Sequence, residues 1–343
     1  MGGALKKKQE KWNVWRLFPY LTALLFIFCL SQAWAAEEPY PNRPINMVVN
    51  MAPGGVTDTH VKIVGDRLAE VLGQPILRLH KPGGGGTLAA SFAAKAKPDG
   101  YTLLTATASA IILSAITKKV DFTWEDFTPI GIYGSGTVHL YVKADAKWKT
   151  LQEFVEEAKA RPGQLKVSSY GKLTNADLVI EAFSRRAGIK LAHVPYKSCA
   201  EAVTSLLGGH VDADFCTSSM GQVDAGAVRI LAIAAHERTR FLPGVKTFRE
   251  LGYEIGWPLW YSFCTPSKTP KRIVDILSNG MQEVFKRYGK EIEQSLLRLE
   301  TFPHFLDADK SMKEVRESYE STLKIAKELK WVGIGDKSSP TQK

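Results

Sequence analysis

The sequence predicts an α/β protein of two lobes, each a sheet flanked by helices, joined by two crossing segments. Three observations carry that reading. Short apolar runs alternate with longer amphipathic runs along most of the 343 residues, the pattern of strands and helices packed on a sheet. Several of the strand-like runs end in glycine-rich turns that lead straight into a helix. Just over 300 residues remain once a leader is set aside, more than one hydrophobic core usually supports.

The leader is the first element. Lys6, Lys7, Lys8, Lys11 and Arg16 precede an apolar run from Leu17 to Leu30, and Ala33-Trp34-Ala35 follows as a small-residue cleavage site, the layout of a signal peptide over residues 1–35. A membrane span needs about 20 apolar residues, whereas this run is broken by Pro19 and closed by Ser31 and Gln32. No small residue stands just before Cys29, so it does not read as a lipid attachment point. Without the leader the net charge falls from +10 to about +6, because residues 1–35 carry five Lys/Arg and one acid. That excess is spread along the chain, which fits mild attraction for anions and argues against a nucleic-acid footprint. Of the cysteines, Cys199, Cys216 and Cys264 remain after processing. They share no metal-ligand or redox spacing, and buried free thiols on strands are the expectation, ahead of a single disulfide.

After the leader come strand 45–50, helix 57–72, strand 76–80, helix 86–97 and strand 101–106, which read as a parallel sheet with helices on both faces. Pro98-Asp99-Gly100 is the tight turn before the last of these. Strand-like runs at 127–133 and 138–142 lead to a second series: helix 151–160, strand 165–167, helix 174–187, strand 191–194, helix 199–207 and strands 211–216 and 228–234. After a strand-like run at 257–264, helices at 271–286 and 310–327 have no sheet of their own and return to the first lobe. Lobe I is thus expected over 36–143 plus 265–331, lobe II over 144–264, with a flexible tail at 332–343. The two crossings, near 140–144 and 261–266, form a hinge.

The chemistry lies in three turns. Met51-Ala52-Pro53-Gly54-Gly55-Val56-Thr57-Asp58 follows the first strand and opens a helix. The first N–H groups of such a helix lack internal partners and point, with the positive end of its dipole, into the crevice beyond the strand ends, a site suited to an anion. Lys81-Pro82-Gly83-Gly84-Gly85-Gly86-Thr87 and Ser168-Ser169-Tyr170-Gly171-Lys172-Leu173-Thr174 repeat the design. Three such turns suggest one ligand held from several sides. Each also has a plain structural reading, since glycine makes tight turns whether or not anything binds. Asp58 fits a helix-dipole partner as well as a ligand acceptor, and Trp257, Trp260 and Tyr261 fit hinge packing better than a ligand wall.

Taken together in order and spacing, the residues resemble the Bug-type extracytoplasmic solute receptors, the substrate-binding components of tripartite tricarboxylate transporters. The matching pieces include Tyr40-Pro41-Asn42-Arg43-Pro44-Ile45, Ala52-Pro53-Gly54-Gly55 with Thr57-Asp58, Leu72-Gly73-Gln74-Pro75 and Lys81-Pro82-Gly83-Gly84-Gly85-Gly86. They continue through Lys97-Pro98-Asp99-Gly100-Tyr101, His193-Val194-Pro195-Tyr196-Lys197, Leu206-Leu207-Gly208-Gly209-His210-Val211-Asp212 and Trp260-Tyr261-Ser262-Phe263. The resemblance implies a type II periplasmic binding protein of the Venus-flytrap kind. It is periplasmic and monomeric, needs no cofactor, metal or nucleic acid, and closes on a small organic carboxylate for a two-subunit membrane permease. Carried over, the ligand-binding positions are Ala52, Gly54, Gly55, Thr57 and Asp58, then Ser168, Ser169, Gly171 and Thr174. Gly84, Gly85 and Ser109 are placed at the same cleft. Tyr170, Lys172 and Leu173 depart from the small residues expected in the second-lobe turn, and Lys172 reads either as a charge for a second carboxylate or as a solvated lysine. Cys216 stands where the family strand usually ends in an acid.

Other classes fit less well. Gly84-Gly85-Gly86-Thr87-Leu88-Ala89 has the spacing of a dinucleotide turn, yet no acid follows on strand 101–106 to hold a ribose. Ser169-Tyr170-Gly171-Lys172 fits the S-x-x-K of acyl-transfer enzymes, but no Lys-Thr-Gly accompanies it. An exported enzyme using Ser169 and Lys172 is the alternative from another class, and a module sensing its ligand for a membrane receptor is a third. The seven histidines show no metal-binding spacing.

Overall fold

Two sheets divide the strands of the molecule, and the chain passes between them twice. The computed structural model describes residues 39–217, 219–257 and 259–333; the signal peptide expected over 1–35 and residues 334–343 of the expected tail lie outside them. Residues 39–42 contain a cis peptide bond at Tyr40–Pro41. The first sheet has six strands in the order β11-β4-β10-β3-β1-β2 and the second has five in the order β7-β6-β8-β5-β9.

In chain order the first sheet receives β1 (Ile45–Val49), β2 (Ile76–His80) and β3 (Thr102–Thr107). The helical stretch after β1 consists of α1 (Val56–His60), a π-helical turn at Val61–Gly65 and α2 (Asp66–Leu72), which ends at Gly73 in the left-handed conformation. Helix α3 (Thr87–Ala94) follows β2, and a π-helical turn at Ser109–Leu113 runs into α4 (Ser114–Thr117) after β3. The strands β1, β2 and β3 are mutually parallel, so their carboxyl ends and the turns that leave them share one edge.

β4 (Phe127–Gly136) then joins the first sheet and β5 (His139–Lys143) the second. Around β5 the chain adds α5 (Leu151–Ala160), β6 (Lys166–Ser169), α6 (Asn175–Ala187), β7 (Ala192–Pro195), α7 (Cys199–Leu207), β8 (Ala213–Cys216), α8 (Met220–Asp224) and β9 (Val228–Ile233). The starts of these helices follow from their caps: the Thr150 hydroxyl accepts from the Glu153 N–H while Glu153 accepts from the Thr150 N–H, and Ser198 caps α7 at Glu201. β10 (Leu259–Pro266) returns to the first sheet, followed by α9 (Lys271–Leu297), β11 (Phe302–Leu306) and α10 (Ala308–Glu328).

Two features depart from the sequence reading. The first sheet is mixed rather than parallel: β10 runs antiparallel to both β3 and β4, and β11 antiparallel to β4. The reason is the return crossing, which brings β10 back beside β3 without a helical crossover to reverse it. The strand β11, set between two long helices, carries no alternating pattern in Phe302-Pro303-His304-Phe305-Leu306 and was read over; it adds the far edge of the sheet. Separate cores serve the two sheets. Val48, Ala90, Leu104, Ile112, Ile132 and Trp260 belong to one; Val142, Phe154, Val167, Phe183, Phe215 and Phe248 belong to the other.

The cysteine expectation is overturned for two of the three. Cys199 at the start of α7 and Cys216 at the end of β8 form a disulfide, with Cα atoms 5.7 Å apart, inside the range a bridge requires. The helix brings back to the strand end a residue 17 positions away, a closure that spacing alone does not reveal. Cys264 on β10 is free and buried, and burial pushes its thiol up to about 12.

Candidate functional site

The first turn leaves β1 at Asn50. Gly54 adopts φ +82°, the left-handed region in which a side chain is strained, and this lets the chain double back so that the Gly54 N–H donates to Asp58 Oδ2 at 2.8 Å. The Gly55 N–H closes onto Ala52 O at 3.0 Å. The first three N–H groups of α1, on Val56, Thr57 and Asp58, have no acceptor among the described residues, as expected at a helix start. Ala52, Gly54 and Val56 are exposed, whereas Thr57 and Asp58 are buried.

Asp58 faces inward. Its side chain is 3 % exposed, its Oδ1 lies 2.8 Å from His80 Nε2, and Lys62 and Arg78 approach within 3.6 and 3.7 Å. Burial pushes this carboxyl up, but the Gly54 N–H, His80 and Lys62 outweigh it and hold it below its usual value. Both oxygens are thus engaged in shaping the turn. Asn50, which sequence reasoning passed over, ties the neighbourhood together: its Oδ1 accepts from the Thr57 hydroxyl at 2.6 Å and its N–H donates to Thr105 Oγ1 on β3 at 3.1 Å.

The glycine turn 83–86 sits against the same residue. A Cβ on Gly86 would meet Ala110 Cβ at 2.8 Å and Asn50 Nδ2 at 3.1 Å, so only glycine permits this approach. Gly84 and Gly85 lie further out and are exposed. Lys118 Nζ donates to Gly84 O at 3.1 Å, and burial lowers that ammonium's pKa.

The second turn repeats the first. The Leu173 N–H donates to Asp177 Oδ2 at 2.8 Å, again from four residues before the acid, and Asp177 Oδ1 lies 2.9 Å from His193 Nδ1 on β7 and 3.1 Å from Lys172 Nζ. Burial pushes the Asp177 carboxyl up, while His193, the Leu173 N–H and Lys172 together hold it below its usual value. Thr174 caps α6 at Asp177 and donates to Gly171 O at 2.8 Å. Tyr170 turns its hydroxyl toward the Ala176 N–H and the Thr174 side chain, so this helix start is partly covered by the chain itself. Lys172 remains 54 % exposed.

Ser169 and Lys172 do not form a pair. Ser169 is fully buried, its hydroxyl lies 2.7 Å from His193 Nε2 and 3.1 Å from the Gly171 N–H, and Lys172 is on Asp177. The order Asp177–His193–Ser169 has the residue types of a hydrolase triad. However, the Asp177 oxygen near Nδ1 is out of line with the ring N–H, and the hydroxyl faces no space a substrate could enter. The acyl-transfer alternative is set aside on this geometry.

Ser168 lies behind the turn on β6, fully buried, and donates to Asp214 Oδ1 on β8 at 2.8 Å. Asp214 is also fully buried, and its Oδ2 has no partner among the described residues. Burial pushes its carboxyl up to about 7, with the Ser168 hydroxyl opposing. Neighbouring His139 on β5 is pushed down to about 3 by burial and meets the Tyr141 hydroxyl at 2.5 Å.

The two turn regions meet across the sheets. Asn175 Nδ2, at the first position of α6, donates to Ser109 Oγ at the end of β3, 2.6 Å away. A second bond spans the sheets near the crossings, where Glu300 accepts from the Ser219 and Met220 N–H groups at 2.7 and 2.9 Å. Among the expected site residues, Ala52 to Asp58 and Gly84 to Gly85 cluster on the first sheet, Ser168 to Thr174 on the second, and Ser109 touches both. Trp260 is buried with its indole N–H on Ser318, and Tyr261 packs edge-on against His60 at 4.6 Å, which places both in packing roles.

No helix among the described residues is long and apolar enough to cross a membrane. Residues 61–330 match the tripartite tricarboxylate transporter family receptor profile. BugT of Bordetella pertussis is 31% identical over 275 residues, covering 78% of this chain and 84% of its own. A solved periplasmic transporter is 31% identical with a TM-score of 0.73, covering 86% of this chain and 100% of its own. MatC from Rhodopseudomonas palustris with bound malate is 26% identical with a TM-score of 0.67, covering 83% and 99%. An R. palustris protein solved with adipate is 25% identical with a TM-score of 0.71, covering 84% and 98%. Family and fold are those of solute-binding receptors and not of enzymes, and the chain belongs to the tripartite tricarboxylate transporter family receptors.

Proposed function

We propose that this receptor captures a small organic carboxylate between its two sheets and delivers it to a two-subunit membrane permease. The observation that carries the reading is the first turn, where the Val56, Thr57 and Asp58 N–H groups stand without protein acceptors at a helix start, on the side of the molecule where Ser109 meets Asn175. One carboxylate is held by the 52–58 turn, with Gly54 and Gly55 allowing close approach and Thr57 and Asp58 fixing its shape. Gly84 and Gly85 flank the entry. The wall from the other sheet is formed by Gly171 and Thr174, with Ser168 and Ser169 buried behind them as support rather than as contacts, and Lys172, whose ammonium has three donors and spends one on Asp177, pairs with a second carboxylate. The malate and adipate bound to relatives are both dicarboxylates, so this class leads.

The chain changes sheets between Gly136 and His139 and between Ile233 and Leu259, which supports a hinge at these two segments. Ligand stabilises the closed form by its differential affinity for it. Residues 1–35 direct export, and the receptor works as a monomer in the periplasm.

A thermal-shift panel of aliphatic, aromatic and amino-acid carboxylates tests this. At about a hundred times its Kd a true ligand adds about 2.7 kcal/mol, a shift of a few degrees for a chain of this size. In Gly54→Val/Gly55→Val, a Cβ at Gly55 meets Met51 Cβ at 2.9 Å and Ala52 O at 3.1 Å, and the shift should vanish while a folded melting transition persists. An undiminished shift in that variant would place the ligand elsewhere.

A further inference from the structure

A cavity of about 170 Å³ lies where the chain passes between the sheets, lined in part by Thr137, His236, Trp257, Trp260, His304 and Glu314. None of these residues belongs to the three turns. Its volume is of the order that admits a benzene-sized molecule, about 150 Å³. Thr137 and Trp257 come from the two segments that join the sheets, and Trp260, His304 and Glu314 from β10, β11 and α10. Trp257 and Trp260 are 7% and 1% exposed, whereas His236 and His304 stand at the open side.

The lining chemistry is selective. Glu314 is the only Asp, Glu, Lys or Arg of the lining, and burial together with the nearby Glu317 holds its carboxyl above the usual value, against the pull of His236. Thr137 Oγ1 is buried without a partner among the described residues. An anion would meet the Glu314 carboxylate. An apolar guest would leave the carboxyl and the Thr137 hydroxyl unpaired, which is costly in a buried site. A methylated ammonium ion that keeps an N–H answers both features, pairing its charge with Glu314 and donating to Thr137 Oγ1, while indole rings attract cations within about 6 Å.

We propose that this cavity binds a small methylated ammonium ion, with Glu314 as its counter-ion and Trp257 and Trp260 as its aromatic walls. Because both joining segments contribute, the cavity changes shape as the sheets move relative to each other, so its occupant and any ligand between the sheets influence one another's affinity.

Isothermal titration of the purified protein with trimethylammonium chloride, against sodium chloride at equal ionic strength, tests the assignment. The expected result is saturable binding with a Kd of about 1 mM or tighter, weakened about tenfold or more in Glu314→Gln, which removes the paired charge, and similarly in Trp257→Ala. Glu314→Gln is a polar exchange at a half-buried position and should melt like the parent, so it decides the matter even if Trp257→Ala does not fold. Heats no different from those of sodium chloride, or a Glu314→Gln variant that binds like the parent, would overturn the proposal, whatever the outcome of the carboxylate panel.

Discussion

In the first turn Asp58 reaches back to the Gly54 N–H and takes the imidazole of His80 from the next strand; in the second, Asp177 reaches back to the Leu173 N–H and takes that of His193. The two lobes thus use one device, an acid four residues past a turn N–H with a histidine beside it. Its surroundings differ. His80 is 24% exposed, and Lys62 and Arg78 stand near Asp58, whereas His193 is 5% exposed and continues to Ser169. The first helix start is open, and the second has Tyr170 turned over it, a disulfide in the same sheet and a buried acid behind it. One helix start is therefore left open, and the other stands as a wall partly satisfied by its own chain.

The largest way to break that contrast is to remove the bridge that only the second sheet has. Cys199→Ala/Cys216→Ala opens a loop of 17 residues and should cost about 3 kcal/mol of unfolding free energy, read by denaturant melts. A melt within error of the parent would show that the wall owes nothing to the bridge. Next, Asp177→Ala should cost about 3 kcal/mol, because it removes the carboxylate beside the buried His193 ring and the acceptor of the half-buried Leu173 N–H, while Asp58→Ala costs about 1 kcal/mol, since water reaches His80 and Lys62. Equal losses would erase the difference in burial argued above. Both carboxyls are held below their usual value in the folded protein, so their stabilisation is present above about pH 4, the unfolded value, and is lost as pH falls through the folded ones.

Asp214 has the opposite sign. Its folded value of about 7 lies above that of an unfolded carboxyl, about 3.9, so its contribution is complete below about pH 4 and is lost as pH rises through about 7. Asp214→Asn should remove this dependence. The variant gains on the parent by several degrees between pH 5 and pH 8, and parallel melting profiles would contradict the buried, protonated state. The smallest effect concerns the contact between the sheets. Asn175→Ala deletes the bond to Ser109, worth about 1 kcal/mol, and carboxylate affinity should fall about fivefold with little change in the ligand-free melt. An unchanged affinity would mean that the bond is not part of the closed form.

The alternation of strands and helices and the glycine turns are visible in the sequence because each depends on residues close in the chain. Gly54 is legible because a left-handed turn demands it, and Thr174 because a helix start demands a cap. The helix 271–297 extends beyond its sequence-based end at 286, since burial of Ile292 and Leu296 continues it, and β11 was hidden for want of a pattern. What escaped are pairings between neighbouring elements, His80 with Asp58, His193 with Asp177 and Asp214 with Ser168, and the identity of the disulfide partners Cys199 and Cys216, since a single disulfide ranks behind free thiols in the sequence. Nothing in local propensity marks these partners, because each is selected by which strands lie side by side.

By itself, then, the sequence determined where helices begin, where the chain turns, and which N–H groups stand at helix starts, all consequences of local backbone geometry. Only the tertiary structure decided that Asp58 is spent on the turn rather than offered to a ligand, that Lys172 is shared with Asp177, and that Asp214 keeps its proton near neutrality. Those outcomes depend on burial and on neighbours brought from distant strands, which set the cost of a charge far more than the identity of the residue carrying it.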